Sequence, residues 1–493
     1  MRTSATGISL LLFLSSVVPV NLLAEDRQGG ISDLGHLRQL PNGLPFPNPS
    51  GFASTFSTAG RIDLTNEFFQ DLGANGRRCV SCHLPSAGWT IVPSQVQAIF
   101  DRTLGGVIDD PLGLGAIFRT NDGSNSPTAD VSTLAARRSA YSMVLTKGLI
   151  RVGIGVPATA DFELVAVDDP YHFASAAELS LFRRPLPTTN LQFLSTVMWD
   201  GRETLGGADH CNIAAEGGAC FASIHFDLAN QSNDATQGHA QAPNSITQSQ
   251  REAIVAFQTA LATAQVWDES AQGLHAADAK GGPEAIFDQA FYYGINDNLG
   301  DYQTHAPFTP NVFNIFDAWR ALQGDGSTNE ARRAVARGQA TFNSKMFTIS
   351  DVAGLNFDSP FDPGLIPPSF QGTCTSCHDT PNSGNHSIVA PLNIGVADES
   401  RRTPDLPLYT LKNKADGRIV KTTDPGRALI SGKFADIGKF KGPILRGLAA
   451  RAPYFHNGSA ADLGAVVDFY NERFGAGIVG KEKEDLIAFL RAL

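Results

Sequence analysis

At 493 residues the chain is longer than one ordinary core, so two or three domains are expected. Its 38 lysines and arginines against 49 aspartates and glutamates leave a net charge of −11, which excludes a nucleic-acid partner held by electrostatic attraction. Charged residues are only 18% of the chain while glycines number 48 and prolines 28, a composition that suggests a loop-rich globule.

The chain begins MRTSATGISLLLFLSSVVPVNLLAED. Arg2 is basic, residues 8–23 are largely apolar and Ala24 is small, so residues 1–24 read as a cleaved Sec-type signal peptide and the mature protein as periplasmic or secreted. Ser15, Ser16, Pro19 and Asn21 break the apolar run and argue against an uncleaved anchor. No later segment is apolar for long enough to span a bilayer, so no membrane span is expected in the mature form. Residues 25–64, rich in glycine, proline and serine, read as an irregular N-terminal arm.

CVSCH, residues 79–83, returns as CTSCH, residues 374–378. In c-type attachment two thiols add across the two vinyl groups of a haem, and the adjacent histidine reaches the iron. A thioredoxin-like CxxC has no need of that histidine, and a zinc site joining the two pairs would leave both histidines surplus. Cys79, Cys82 and His83 are therefore expected to hold one covalent haem c, and Cys374, Cys377 and His378 a second. Cys211 and Cys220 remain, in DHCNIAAEGGACF. An oxidising compartment and a short loop with Gly217 and Gly218 favour a local disulfide over two buried free thiols.

The expected fold is mainly α, with two cytochrome c-type helical domains, each carrying a covalent haem c, and long irregular insertions. Residues 65–265 are assigned to the N-terminal domain, which opens with a short helix near Glu67. Residues 84–182 read as an irregular insertion over the first haem. Helical spacing is clear over 249–265, with Ile254, Val255, Phe257, Leu261 and Ala262 on one face. Residues 266–328 read as a linker or insertion, and 329–493 as the C-terminal domain, opened by a helix over 329–344 and closed by the amphipathic KEKEDLIAFLRAL.

Two further stretches are FRRPLPTTNLQFLSTVMWDGRETLGG, residues 182–207, and FKGPILRGLAARAPYFHNGSAADLGAVVDFYNERF, residues 440–474. Together with two CxxCH units in this order they resemble the bacterial di-haem cytochrome c peroxidase family, including its MauG branch. That family has a segment ending in WDGR after the first haem and a PYFH[DN]G motif after the second. The resemblance covers most of residues 65–493, with insertions at 84–180, 208–245 and 266–328.

The resemblance implies a peroxidatic N-terminal haem open to hydrogen peroxide and a six-coordinate C-terminal haem that exchanges electrons. Trp199 would bridge the two haems, where the ordinary alternative is core packing. Asp200, Gly201 and Arg202 would make its turn and ion pairs. Arg184 would anchor a haem propionate, and His456 would lie near one. The family's methionine ligand to the second haem falls here on Tyr470, and no methionine follows CTSCH. The MauG branch carries tyrosine at this place, and a phenolate stabilises the oxidised metal where a thioether does not. His386 and His456 are the rival ligands.

No histidine lies between His83 and His172, where family peroxidases keep a distal histidine, which implies a permanently open first haem. The family's proton-moving glutamate has no counterpart in residues 226–242. Gln237 and His239 are the candidates there, with Asp234 third; imidazole can move a proton near neutral pH, and an amide can only position peroxide. The family also holds a calcium between its domains. The aligned position here is Pro185, with Asn190 near enough to substitute, so one calcium ion is the third cofactor expectation.

The leading functional expectation is a periplasmic di-haem oxidoreductase that reacts with hydrogen peroxide. Its electrons would come from a redox partner protein: a small cytochrome, a cupredoxin or a protein substrate. The alternatives are a di-haem dioxygenase of the rubber-oxygenase type and a non-enzymatic electron-transfer cytochrome. Residues 84–182 would build an apolar channel in the dioxygenase. The missing distal histidine argues against the carrier.

Overall fold

Glycine and proline cut the chain into short pieces, and many of these pieces pair as strands. The computed structural model describes residues 37–493 apart from 109, 207–210, 212, 215–219 and 357–366. The signal-peptide reading of 1–24, the first part of the arm, and Gly217 and Gly218 lie outside the described residues. Helix accounts for 31% and strand for 18%, in several small sheets, so the fold is mixed α/β and the expectation of a mainly α chain is overturned.

The first correction lies in the arm and at the end of the 249–265 helix. Helix Gln248–Thr259 starts at Thr247, whose hydroxyl caps the Gln250 amide, and ends at Ala260. The chain then continues as strand Leu261–Asp268, which pairs antiparallel with Gly51–Ser57. Pro45–Asn48 and Gln272–Gly273 complete a four-stranded sheet. The first five residues of Leu261–Asp268 are all buried, so the period-2 alternation that marks a half-exposed strand is missing. Thr263 and Thr55 share a hydroxyl hydrogen bond of 2.8 Å across this sheet.

The second correction is the insertion. Pro93–Thr103, Leu134–Ala140 and Ser142–Lys147 are helices, and Ile150–Ile154 pairs with Leu179–Arg183. Phe162–Asp168 pairs with Leu408–Asn413, which in turn pairs with Ile419–Thr422. Phe162, Leu179, Leu181, Tyr409 and Leu411 form the apolar cluster behind these sheets. Residues Arg38–Leu493 pack as one compact unit.

Near the C-terminus, helix Ser327–Ser344 crosses helix Gly480–Ala492 at close range. A Cβ on Gly338 would stand 1.9 Å from the Asp485 carbonyl oxygen, so glycine is required at the crossing. Phe313, Phe316 and Phe489 are fully buried there, and Phe342 brings this core against His378, ring to ring at 6.0 Å. Among the described residues no helix is long and apolar enough to cross a membrane.

Candidate functional site

The two CxxCH units fold alike. In each, a 3-10 turn, Cys79–Ser81 or Cys374–Ser376, is closed by its serine. Ser81 Oγ accepts from the Arg78 amide at 3.1 Å and Ser376 Oγ from the Thr373 amide at 3.1 Å. The amide of His83 donates to the Cys79 carbonyl at 3.1 Å, and that of His378 to the Cys374 carbonyl at 3.2 Å. Each imidazole Nδ1 then donates to the carbonyl six residues on, Trp89 for His83 at 3.1 Å and Gly384 for His378. That bond fixes the tautomer that keeps the Nε2 lone pair available to a metal. Ser81 and Ser376 were not singled out in the sequence, although the shared SCH ending carried the signal.

Each unit lines its own cavity. The first takes Cys79, Cys82 and His83; the second takes Cys374, Cys377 and His378. Burial pushes the thiols of Cys79, Cys374 and Cys377 up to about 12 and that of Cys82 to about 11. Separate cavities rule out a zinc site shared by the four thiols.

Trp199, Lys441 and Pro443 line both cavities and so form part of the wall between them. A short network holds this wall. Trp199 Nε1 donates to the Arg184 carbonyl at 2.8 Å, the Arg184 amide donates to the His456 carbonyl at 2.7 Å, and the Lys441 amide donates to the Trp199 carbonyl at 2.9 Å. The Trp199 and His456 rings meet edge-on at 6.2 Å, and His456 stacks on Phe440 at 4.0 Å. Behind Trp199, Asp200 receives Arg183 at 2.5 Å, and Arg183 also grips Asp424 with two bonds of 2.7 and 2.9 Å. Burial alone would raise the Asp200 carboxyl, but Arg183 and Arg202 hold it at about 2.

The opposite wall of the first cavity is helix Ile224–Gly238 with its C-cap His239. Leu228, Gln231, Ser232, Ala235, Thr236 and His239 line the cavity. Their spacing of three, four, seven and eight is one helical face. Gln237 falls off this face, is exposed and accepts from Asn233 at 2.9 Å, so it does not meet the cavity; Gln231 does. Asp234 is exposed as well, and so is His172.

His239 Nδ1 lies 2.8 Å from Asp122 Oδ2, and Arg77 reaches the same oxygen at 3.0 Å. Burial would raise the Asp122 carboxyl, but the hydrogen bond and charge of His239, with Arg77 and Arg151, hold it below the usual range. Asp122 and Arg77 also line the cavity, and sequence reasoning missed both.

In the second cavity, Tyr470 comes from helix Leu463–Phe474, and its hydroxyl has no hydrogen-bond partner among the described residues. Burial pushes its phenol above the usual range. His456 also lines this cavity, with burial pulling its imidazole down to about 4. The rival ligand His386 does not line it, and its Nδ1 is engaged by Asp379 at 2.8 Å. Asn190 has its side-chain amide engaged at both ends by the backbone of Thr263, at 3.0 and 3.1 Å. It clips a strand, and the calcium expectation finds no ready ligand there. The structure joins Cys211 and Cys220 as a disulfide, Cα atoms 5.1 Å apart.

No family model matches the chain. Among curated proteins it is 37% identical over 133 residues to the cytochrome-c peroxidase IdrP2 of Denitromonas iodatirespirans, which covers 25% of this chain and 36% of that protein. It is 29% identical over 196 residues to the cytochrome-c peroxidase IdrP1 of Pseudomonas sp. (strain SCT), covering 34% and 49%. Over these stretches the sequence is similar to bacterial cytochrome c peroxidases. The matched stretches span about a third to a half of the length of these two relatives. The cytochrome c551 peroxidase of Pseudomonas aeruginosa is 26% identical over 121 residues, covering 24% and 30%. Among solved structures, a MauG-like protein associated with microbial copper homeostasis aligns with a TM-score of 0.36 and 17% identity over 92% of each chain.

The two cavities suit a haem c in more than their cysteines. Arg184, Lys441, Arg446 and Arg451 are buried in or beside the cavity walls, and among the described residues their side chains donate only to backbone carbonyls. Burial pulls Lys441 down to about 7, Arg184 to about 9, and Arg446 and Arg451 to about 10. A buried cation without a counter-ion is costly, and a haem brings two carboxylates with it. Among the described residues His456 Nε2, Arg78 Nε and Gln258 Oε1 are buried without hydrogen-bond partners, all on residues that line these cavities.

Proposed function

We propose that the protein is an exported di-haem oxidoreductase of the cytochrome c peroxidase and MauG type. The observation that carries this reading is the pair of like-folded CxxCH cavities meeting at one tryptophan wall. Haem c on Cys79, Cys82 and His83 would supply the iron at which peroxide is cleaved, and haem c on Cys374, Cys377 and His378 a store of electrons. The overall change consumes one hydrogen peroxide, two electrons and two protons and yields two waters, with the electrons drawn from a redox partner protein.

The chain's own residues then have distinct tasks. With Nδ1 held by Asp122, the Nε2 of His239 takes a proton from one peroxide oxygen and returns it to the other, so that the leaving atom departs as water. Gln231, on the same helical face, holds peroxide by hydrogen bonds. Trp199 carries electrons between the cavities, and its indole is kept in register by the Arg184 carbonyl. Tyr470 would be a ligand to iron held at the second unit, and the charge of that iron would drive off a phenol proton that burial otherwise retains.

The apolar part of the first cavity, with Ile150 and Val152 from the insertion and Leu191, Leu194, Val197 and Ile254 beyond, supports a second reading as a dioxygenase acting on unsaturated hydrocarbons. Peroxide kinetics and oxygen uptake separate the two. For the peroxidase, His239→Ala lowers kcat/KM for peroxide by about 100-fold or more while the absorption of both haems is unchanged. Unaltered kinetics would remove His239 from the reaction, and oxygen uptake with unsaturated hydrocarbons but no peroxide turnover would favour the dioxygenase.

A further inference from the structure

Outside both cavities, Asp297, Asp379 and His386 are buried together, with one ligand atom from each lying within 4.8 Å of the others. They come from two loops far apart in sequence. Asp297 belongs to the segment between the two halves, and Asp379 and His386 to the loop that follows CTSCH. His386 Nδ1 stands 2.8 Å from Asp379 Oδ2. Two donor atoms side by side on one octahedral metal ion, at bonds of about 2.1 Å, are separated by about 3 Å.

Two buried carboxylates in this cluster share one cationic side chain. Among the described residues no lysine or arginine forms an ion pair with Asp297 or Asp379, and His386 is the sole cationic partner of Asp379. One imidazolium cannot balance two buried carboxylates, and an uncompensated buried charge is expensive. A second and independent sign comes from two hydroxyls beside the cluster. Ser387 gives its amide to Asp379 Oδ1 at 2.7 Å, yet its own Oγ is fully buried with no partner. Thr380, next to Asp379, has a fully buried Oγ1 with no partner. Orphaned buried hydroxyls around a polar cluster mark a missing water or ion.

We propose that Asp297, Asp379 and His386 bind one divalent first-row metal ion, with water in its remaining positions hydrogen-bonded to Ser387 and Thr380. The donor set selects the class. An imidazole disfavours calcium and magnesium, which take oxygen ligands, and the absence of thiolate disfavours copper(I); zinc and manganese suit mixed nitrogen and oxygen donors. The ion clamps the loop behind His378 to the 296–309 segment, where Asn296 already bridges the Asp379 and Thr309 carbonyls at 3.2 and 2.9 Å.

The test uses the holoprotein, stripped with chelator, equilibrated with zinc sulfate or manganese chloride, desalted and analysed for metals per chain. The wild type is expected to retain one zinc or manganese ion per chain, to melt at a higher temperature when loaded, and not to retain calcium. Asp297→Asn and His386→Gln are expected to bind at least about 100-fold more weakly and to show no zinc-dependent rise in melting temperature. Iron per chain and haem absorption, measured on the same samples, stay at wild-type values in Asp297→Asn, which separates this site from the haem centres. Equal retention by wild type and both variants, retention by neither, or an equal affinity for calcium would overturn the proposal.

Discussion

Arg183 is enclosed by protein and faces two carboxylates, Asp200 and Asp424, that are as buried as itself. Removing one member of such a cluster leaves the others charged and unpaired, so Arg183→Met is expected to cost about 3–5 kcal/mol in urea unfolding. The pH dependence follows from the sign of the Asp200 shift. Its folded value, about 2, is below the ordinary aspartate value of 3.8, so its contribution is complete above about pH 4 and is lost as pH falls toward 2. In Arg183→Met that loss on acidification shrinks, because only Arg202 remains to hold the carboxyl low. Several site residues were legible in the sequence because they sit inside short motifs: both CxxCH units, Trp199 in WDGR and His456 in PYFHNG. Asp122 was not, since it meets His239 from 117 positions away and nothing local to it announces the contact. Gln237 was misplaced for a plainer reason. Its neighbourhood was read as a stretch, and only the helical face running from Leu228 to His239 separates it from Gln231.

Helices were the legible elements. Those ending at Ser344 and Ala492 have clear apolar spacing, and their crossing explains a glycine that helix propensity alone would disfavour. Gly338→Ala forces a methyl against the Asp485 backbone and is expected to destabilise by about 1–3 kcal/mol in thermal or urea unfolding, with no change in haem content. A neutral or stabilising result would mean that the crossing can open at little cost. Strands were hidden for two physical reasons. Leu261–Asp268 is central in its sheet and buried along most of its length, so it lacks alternation and its alanines continued the apparent helix. Gln39–Pro41 and Arg61–Asp63 are three residues each, too short for a period to register, and their pairing partners are specified by the fold rather than by local composition.

Across the whole molecule, the repeated five-residue device builds two sites of unequal character. Gln231 and His239 line the first cavity, where on the proposed reading a small oxidant would be held and protonated; Tyr470 and His456 line the second, set among apolar residues. The stretch that separates the two devices in sequence supplies Trp199, and residues 440–443 return from the other half to complete the wall. Buried arginines and a buried lysine around that wall, lacking carboxylate partners, are what two haems with their propionates would satisfy. Spin-state spectroscopy of the resting ferric holoprotein, in wild type and Tyr470→Phe, tests this account most directly. One high-spin and one low-spin haem are predicted in the wild type, with the low-spin signal lost in Tyr470→Phe and the high-spin signal retained; two low-spin haems, or a low-spin signal indifferent to Tyr470, would contradict it.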